Sequence, residues 1–302
     1  MFIYTTMTIY SYLQGGLGNQ MFQYAIAKSL SMHHGVSFSL DGSWFQSLHP
    51  RVTPRTLELP LLQIAANIIE NVEDSIVQHK LLLAIKYLLP FGPIIKKQKD
   101  AFNFDISLFK INALNHRNLY LFGYWQSYKY FEHIRPDLQI EFQTVKKISN
   151  HYEYFLKEIE KSESVMLHIR RGDYVFSPSA AKYHGALELK YYLDSIDCIL
   201  SLKPNAHFFI FSDDLLWAKG ALPKNIRITF VENSLKIDDA AQELQLMRAC
   251  KNHVIANSSL SWWGAWLGNE PGGLVYAPNR WKKNKALNLD DLLPNDWRRI
   301  AV

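Results

Sequence analysis

VMLHIRRGDY, residues 165–174, is an apolar run that ends abruptly in two arginines, a glycine and an aspartate. An apolar stretch this short, with charge only at its carboxyl end, reads as a strand covered on both faces, as in parallel sheets. In such sheets ligands bind beyond the carboxyl ends of the strands. The residues after each strand are therefore the ones to read for chemistry.

The pattern repeats on either side. Toward the carboxyl end, a helical periodicity places Leu193, Ile196 and Leu200 on one face, and HFFIFS at 207–212 forms a second strand with a short helix over 214–219. ITFVE at 228–232 is a third strand, followed by a helix carrying Leu244, Met247 and Cys250. HVIANS at 253–258 is a fourth, a helix covers 262–267, and LVYAP at 274–278 makes the fifth. Toward the amino end, IYSYL at 9–13 is a strand, GGLGN a turn, MFQYAIAKSLSMHH a helix and VSFSL at 36–40 the next strand. Residues 60–92 read as mostly helical, and NLYLFGYW at 118–125 as a strand entering a turn. Strands alternating with helices predict an α/β chain with parallel sheets. We expect two Rossmann-like domains facing a cleft, at 1–150 and 151–302, joined by the amphipathic segment KKISNHYEYFLKEIEKSES.

The strand ends carry the candidate site. After the strand at 165 come His168, Arg170, Arg171, Gly172 and Asp173. Neighbouring strand residues point to opposite faces, so one arginine faces the crevice and the other pairs locally, with Asp173 the nearest carboxylate. A guanidinium stays charged at any working pH and grips phosphate bidentately. After the strand at 207 come Ser212, Asp213 and Asp214, which fit a divalent metal, the paired N–H edge of guanine, or a helix N-cap. After the strand at 253 come Asn257, Ser258 and Ser259, small polar residues opening a helix whose N–H groups favour an anion. Trp262, Trp263 and Trp266 follow at helical spacing and read as core. After the first strand, Gly15, Gly16, Gly18 and Asn19 suit a close backbone approach to a ligand. Met21 stands where the dinucleotide fingerprint needs its third glycine, so this turn is no argument for a nicotinamide cofactor.

The 302-residue chain is 48% hydrophobic, 20% charged and 14% aromatic, a globular composition far from disorder. Its net charge of +5 is scattered along the chain, which excludes a nucleic-acid arm and fits an anionic ligand. Cys198 and Cys250 fall in helical segments without metal-ligand spacing and read as free thiols. The opening MFIYTTMTIY has neither the basic region nor the cleavage site of a signal peptide, which predicts a cytoplasmic protein. LLLAIKYLLPFGPII at 81–95 is interrupted by Lys86, Pro90 and Pro93 and is shorter than the roughly 20 residues of a membrane span. It reads as a core helix before a basic loop, with a peripheral contact at the inner membrane face as the sharper alternative.

GGLGNQMFQYA at 15–25, GYWQSYKYF at 123–131, HIRRGDY at 168–174, YHG at 183–185, FSDD at 211–214 and NSSLSWWGAWL at 257–267 run in one order over almost the whole chain. In these motifs the sequence resembles bacterial α-1,2-fucosyltransferases of glycosyltransferase family 11. The resemblance implies a GT-B architecture, GDP-fucose as donor, a galactose-terminated glycan as acceptor, inversion at the anomeric carbon, and no metal or other cofactor. It implies Arg170 as the main diphosphate ligand, with Arg171 supporting it and His168 beside the nucleotide. Asp213, or else Asp214, would hold guanine. Ser258 and Ser259 would hold phosphate, with Asn257 beside them in the substrate site. Asn19, Gly16 and Gly18 would line the reaction centre, and Asp173 is the candidate base. The alternatives are a GDP-sugar transferase of another linkage, and a non-catalytic nucleotide-sugar-binding protein.

Overall fold

The computed structural model describes residues 7–47, 53–70, 93–100, 102–112, 118–176, 185–268, 271–283 and 287–302, without the side chains of Asp173 and Phe176. The chain divides into two compact units. One is built mainly from residues before Phe142, and the other from 142–302 with the short segment 61–63.

The first unit runs β1 (Thr8–Tyr12), α1 (Leu17–His34), β2 (Ser37–Asp41), β3 (Asn67–Ile69), β4 (Ile94–Lys97), β5 (Leu119–Phe122) and α2 (Arg135–Glu141). Its strands form one parallel sheet in the order β3-β2-β1-β5-β4. The edge strands β3 and β4 were not legible. Both are very short, and β4 consists of two isoleucines and two lysines at the end of a run read as helix and basic loop. In the 60–92 region, Leu59–Leu61 is a 3-10 turn and Asn67–Ile69 is the strand, so the described part is not helical. The rest of that expectation, 71–92, lies outside the described residues.

The second unit opens with α3 (Asn150–Glu160), the amphipathic segment, which buries Tyr152 and Ile159. It continues through β6 (Glu163–Ile169), α4 (Gly172–Phe176), α5 (Leu189–Leu202), β7 (Ala206–Ser212), α6 (Leu215–Ala221), β8 (Ile228–Phe230), α7 (Asp239–Ala249), β9 (Asn252–Val254), α8 (Ser259–Gly268), β10 (Val275–Pro278) and β11 (Arg298–Ile300). The sheet is parallel throughout, in the order β11-β10-β9-β6-β7-β8. Six strands replace the expected five. The added β11, Arg-Arg-Ile, has no apolar run and pairs only at the edge, so its partner β10 and not its own sequence makes it a strand.

β6 and β7 are buried along nearly their whole length, which explains their unbroken apolar sequences. Their Val165, Leu167, Ile169, Phe208 and Ile210 pack with Tyr191, Ile196 and Ile199 of α5. The buried face of α5 is Tyr191, Tyr192, Ser195, Ile196 and Ile199, one step round from the expected Leu193–Ile196–Leu200 stripe. The two tyrosines decide this, because Tyr191 reaches the sheet and donates its hydroxyl to Ile255 O at 2.6 Å. Trp262, Trp263 and Trp266 are core, as expected, and Trp262 Nε1 donates to Leu292 O at 2.8 Å. Cys198 and Cys250 are free thiols. No helix among the described residues is long and apolar enough to cross a membrane.

Candidate functional site

The register of β6 with β7 builds the centre of the site. Ile169 lies opposite Ser212, so the two strands end together, and the residues that follow them meet. Asp213 Oδ1 accepts the Arg171 backbone N–H at 2.8 Å, and its Oδ2 pairs with Arg170 Nη1 at 2.9 Å. Asp214 Oδ2 pairs with Arg171 Nε at 3.2 Å, while its Oδ1 caps α6 by accepting Trp217 N–H at 3.2 Å. The Arg171 guanidinium lies 4.0 Å from the Trp217 ring centroid, a cation–π contact. Ser212 Oγ accepts the Asp214 N–H at 2.9 Å and fixes the turn.

Each arginine therefore has an acidic partner just beyond the end of β7, more than 40 residues along the chain. Asp173 was the carboxylate expected to pair; it lies in α4, with its side chain outside the described part. Gly172 is compelled by this packing, since an added Cβ would sit 2.6 Å from Asp213 Oδ2. The paired side chains keep roughly a fifth to a quarter of their surface exposed, so the guanidiniums are held in place yet face solvent. With five donors, an arginine that meets one carboxylate retains capacity for an anion.

His168, at the end of β6, is 6% exposed. Burial first, and then the Arg170 charge, pushes its imidazole down to about 4, with Asp213 pulling the other way. The ring is thus neutral near pH 7, and its Nδ1 is buried without a partner among the described residues.

Asn257, beyond β9, is buried. Its Nδ2 donates to Gly185 O at 3.1 Å and Trp281 O at 3.2 Å. Tyr174, from α4, donates its hydroxyl to Asn257 O at 3.2 Å, and its ring lies 5.6 Å from the Arg170 guanidinium. Ser258 and Ser259 are half-buried at the start of α8. Ser258 O accepts Trp262 N–H, so the N–H groups of residues 259–261 have no partner inside the helix.

The first unit holds the glycine-rich turn. Gly15 has φ +80, and a Cβ there would lie 2.6 Å from Asn19 Nδ2, so glycine is required twice over. Gly16 O accepts the N–H of Asn19 and Gln20 as α1 begins, and Gly18 is buried in its first turn. Asn19 Oδ1 accepts Gln126 Nε2 at 2.8 Å. Gln20 bolts the turn to the 56–59 segment: its Nε2 donates to Gly15 O and Thr56 O, and its Oε1 accepts from Glu58 N and Leu59 N. Glu58 in turn accepts Leu17 N–H at 3.1 Å, and burial raises its carboxyl above the usual range. Arg55 lies within 3.8 Å of where a Gly16 Cβ would be. Arg55, Glu58, Gln126 and Trp217 were not singled out from sequence, since each acquires its place only through a contact with a distant segment.

No cluster of three or more His, Cys, Asp or Glu side chains arranged to hold a metal occurs among the described residues. Asp213 and Asp214, weighed as metal ligands from sequence, each engage a guanidinium.

The family model described as Glycosyl transferase family 11 matches residues 8–301. The chain belongs to that family. Among its relatives is the Escherichia coli O-antigen biosynthesis glycosyltransferase WbnK, 34% identical over 293 residues, covering 90% of this chain and 94% of the relative. The Escherichia coli alpha-1,2-colitosyltransferase is 32% identical over 295 residues, covering 95% and 97%. A Mus musculus galactoside 2-alpha-L-fucosyltransferase, Sec1, is 27% identical over 165 residues, covering 52% of this chain and 44% of that protein. This family-11 chain is a glycosyltransferase, and each of its two units is an α/β fold on a parallel sheet.

Proposed function

We propose that the protein transfers L-fucose from GDP-fucose to a galactoside hydroxyl, forming an α-1,2 linkage with inversion and without a metal. The observation that carries this reading is the pair of arginines held on Asp213 and Asp214 at the end of β6, in a chain of family 11. As the bond from sugar to diphosphate breaks, negative charge grows on the leaving phosphate. A guanidinium fixed beforehand stabilises that charge more in the transition state than in the ground state. Arg170 is the main diphosphate ligand in this account. Arg171 supports it through its ion pair with Asp214 and its stacking on Trp217. His168 contacts the nucleotide as a neutral ring. Ser258, Ser259 and the first-turn N–H groups of α8 add donors to phosphate. Asn19 and the glycines around it line the acceptor side, and Asp173 takes the acceptor proton.

Asp213 has two duties to reconcile. It holds Arg170 and the Arg171 backbone, and it remains the candidate for guanine, because an ionised carboxylate has about four lone-pair sites. The second reading is a colitosyl donor, favoured by the whole-chain match to the colitosyltransferase. The test offers GDP-fucose, GDP-mannose and a colitosyl nucleotide with lactose, and determines the product linkage by NMR. An α-1,2-fucosyl product from GDP-fucose supports the proposal. Turnover confined to another donor, or a different linkage, overturns it.

A further inference from the structure

Against Tyr174, whose ring lies 5.6 Å from the Arg170 guanidinium, the second unit contains a cavity of about 330 Å³, at the small end of the roughly 300–1,000 Å³ typical of small-molecule sites. Its walls come from the carboxyl-terminal ends of adjacent strands: Tyr174 after β6, Asn257 after β9, and Arg280, Lys282 and Lys283 after β10. Three cations thus face one carboxylate, Glu188. Among the described residues neither Arg280 nor Lys283 has an ion-pair partner.

The basic segment is built into the fold. Asn279 N–H donates to Ile300 O, Trp281 is buried, and Trp281 O accepts Asn257 Nδ2. Gly185, at φ +70, accepts the second Asn257 Nδ2 bond and makes room for Lys283, whose stem would lie 3.2 Å from an added Cβ. Both Nδ2 partners are carbonyl oxygens, which fixes the orientation of the amide. Asn257 Oδ1 is then left buried with no donor among the described residues. An unsatisfied buried acceptor is costly, so a ligand donor at this wall would be favoured. A ligand that satisfies the cavity carries anionic oxygens for Arg280 and Lys283 and a hydroxyl proton for Asn257. A sugar bonded to phosphate has both.

We infer that this cavity receives the phosphate end of the nucleotide-sugar donor, with Arg280 and Lys283 as phosphate-binding residues additional to Arg170. The inference rests on the donor reading above, and it extends the leaving-group site from the end of β6 across β9 to β10. The anion could also be a phosphate or carboxylate on the acceptor, and the experiment separates the two.

The full chain and its Arg280→Gln/Lys283→Gln variant are titrated calorimetrically with GDP, inorganic pyrophosphate and guanosine, and the KM values for donor and acceptor are measured. Both side chains are exposed, so the variant should melt with the wild type. The expected result is a loss of about tenfold or more in affinity for GDP and pyrophosphate, with guanosine unchanged, and a raised KM for donor alone. Unchanged affinity for GDP and pyrophosphate overturns the inference. So does an effect confined to the KM of an acidic acceptor, which would move the anion to the other substrate. Pyrophosphate binding weakened in the variant, in a protein that does not bind GDP, would uphold the anion site and defeat the donor reading. Wild-type protein binding neither would defeat both.

Discussion

Replacing Gly172 with alanine tests whether the ends of β6 and β7 are locked together. The added Cβ would lie 2.6 Å from Asp213 Oδ2 and 2.9 Å from its Cγ, closer than real Cβ contacts come. The carboxylate has no easy retreat, because Oδ1 is held by Arg171 N–H and Oδ2 by Arg170 Nη1. Overpacking of this kind costs about 1–3 kcal/mol. Alanine returns part of that through its better helix propensity, about 1 kcal/mol at most. A net loss of about 1–2 kcal/mol remains, worth roughly 2–3 °C in melting temperature for a protein of this size. The effect on catalysis should be larger than that on folding. Shifting Asp213 shifts Arg170, and a displacement of about 1 Å at a reacting centre can cost a hundredfold in rate. The assay pairs thermal melting with GDP release at saturating donor. Gly220→Ala is the control: it lies in α6, nothing falls within 4 Å of its added Cβ, and it should hold or raise the melting temperature. A Gly172→Ala protein with wild-type melting and wild-type turnover would refute the interlock.

Other outcomes follow from the same geometry. Arg170→Ala should lower turnover by about 10²–10³-fold with little change in melting, because its partner Asp213 can rehydrate; this is read by kinetics beside circular dichroism. Asp213→Asn should weaken GDP binding by calorimetry more than it slows saturated turnover, and an unchanged GDP affinity would remove Asp213 from guanine recognition. Stability should be greatest near pH 6.5. Burial pushes His168, His207 and His253 down to about 4, so between pH 4 and the ordinary value of 6.5 the unfolded chain binds more protons and stability rises with pH. Burial, then neighbouring Asp239, pushes the Glu243 carboxyl up to about 8, so between the ordinary value of 4.5 and about 8 the folded chain holds the extra proton and this group lowers stability as pH rises. With three histidines opposing Glu243 and the raised Glu58 below pH 6.5, and Glu243 still losing its proton above it, a melting curve that climbs steadily from pH 6.5 to 8 would contradict these assignments.

The sequence disclosed what is local. An apolar run such as HFFIFS is buried on both faces, so its pattern and its structure coincide. The helix after GGLGN and the tryptophans of α8 were legible for the same reason. Non-local features were not. β4 and β11 are strands because β5 and β10 offer them edges, and IIKK and RRI carry no strand pattern of their own. The local partner expected for an arginine was Asp173, whereas the described ion pairs run to Asp213 and Asp214, brought opposite by the parallel register of Ile169 with Ser212. Arg280 and Lys283 read as scattered charge until Gly185 and Asn257 close a cavity around them.

The most direct test of the central claim measures GDP release from GDP-fucose with lactose in the presence of EDTA, for wild type beside Arg170→Ala. The account predicts lactose-dependent release by the wild type, undiminished by the chelator, and its loss in the variant. Release that needs added Mg²⁺ or Mn²⁺, or that persists at the wild-type rate without Arg170, would contradict it.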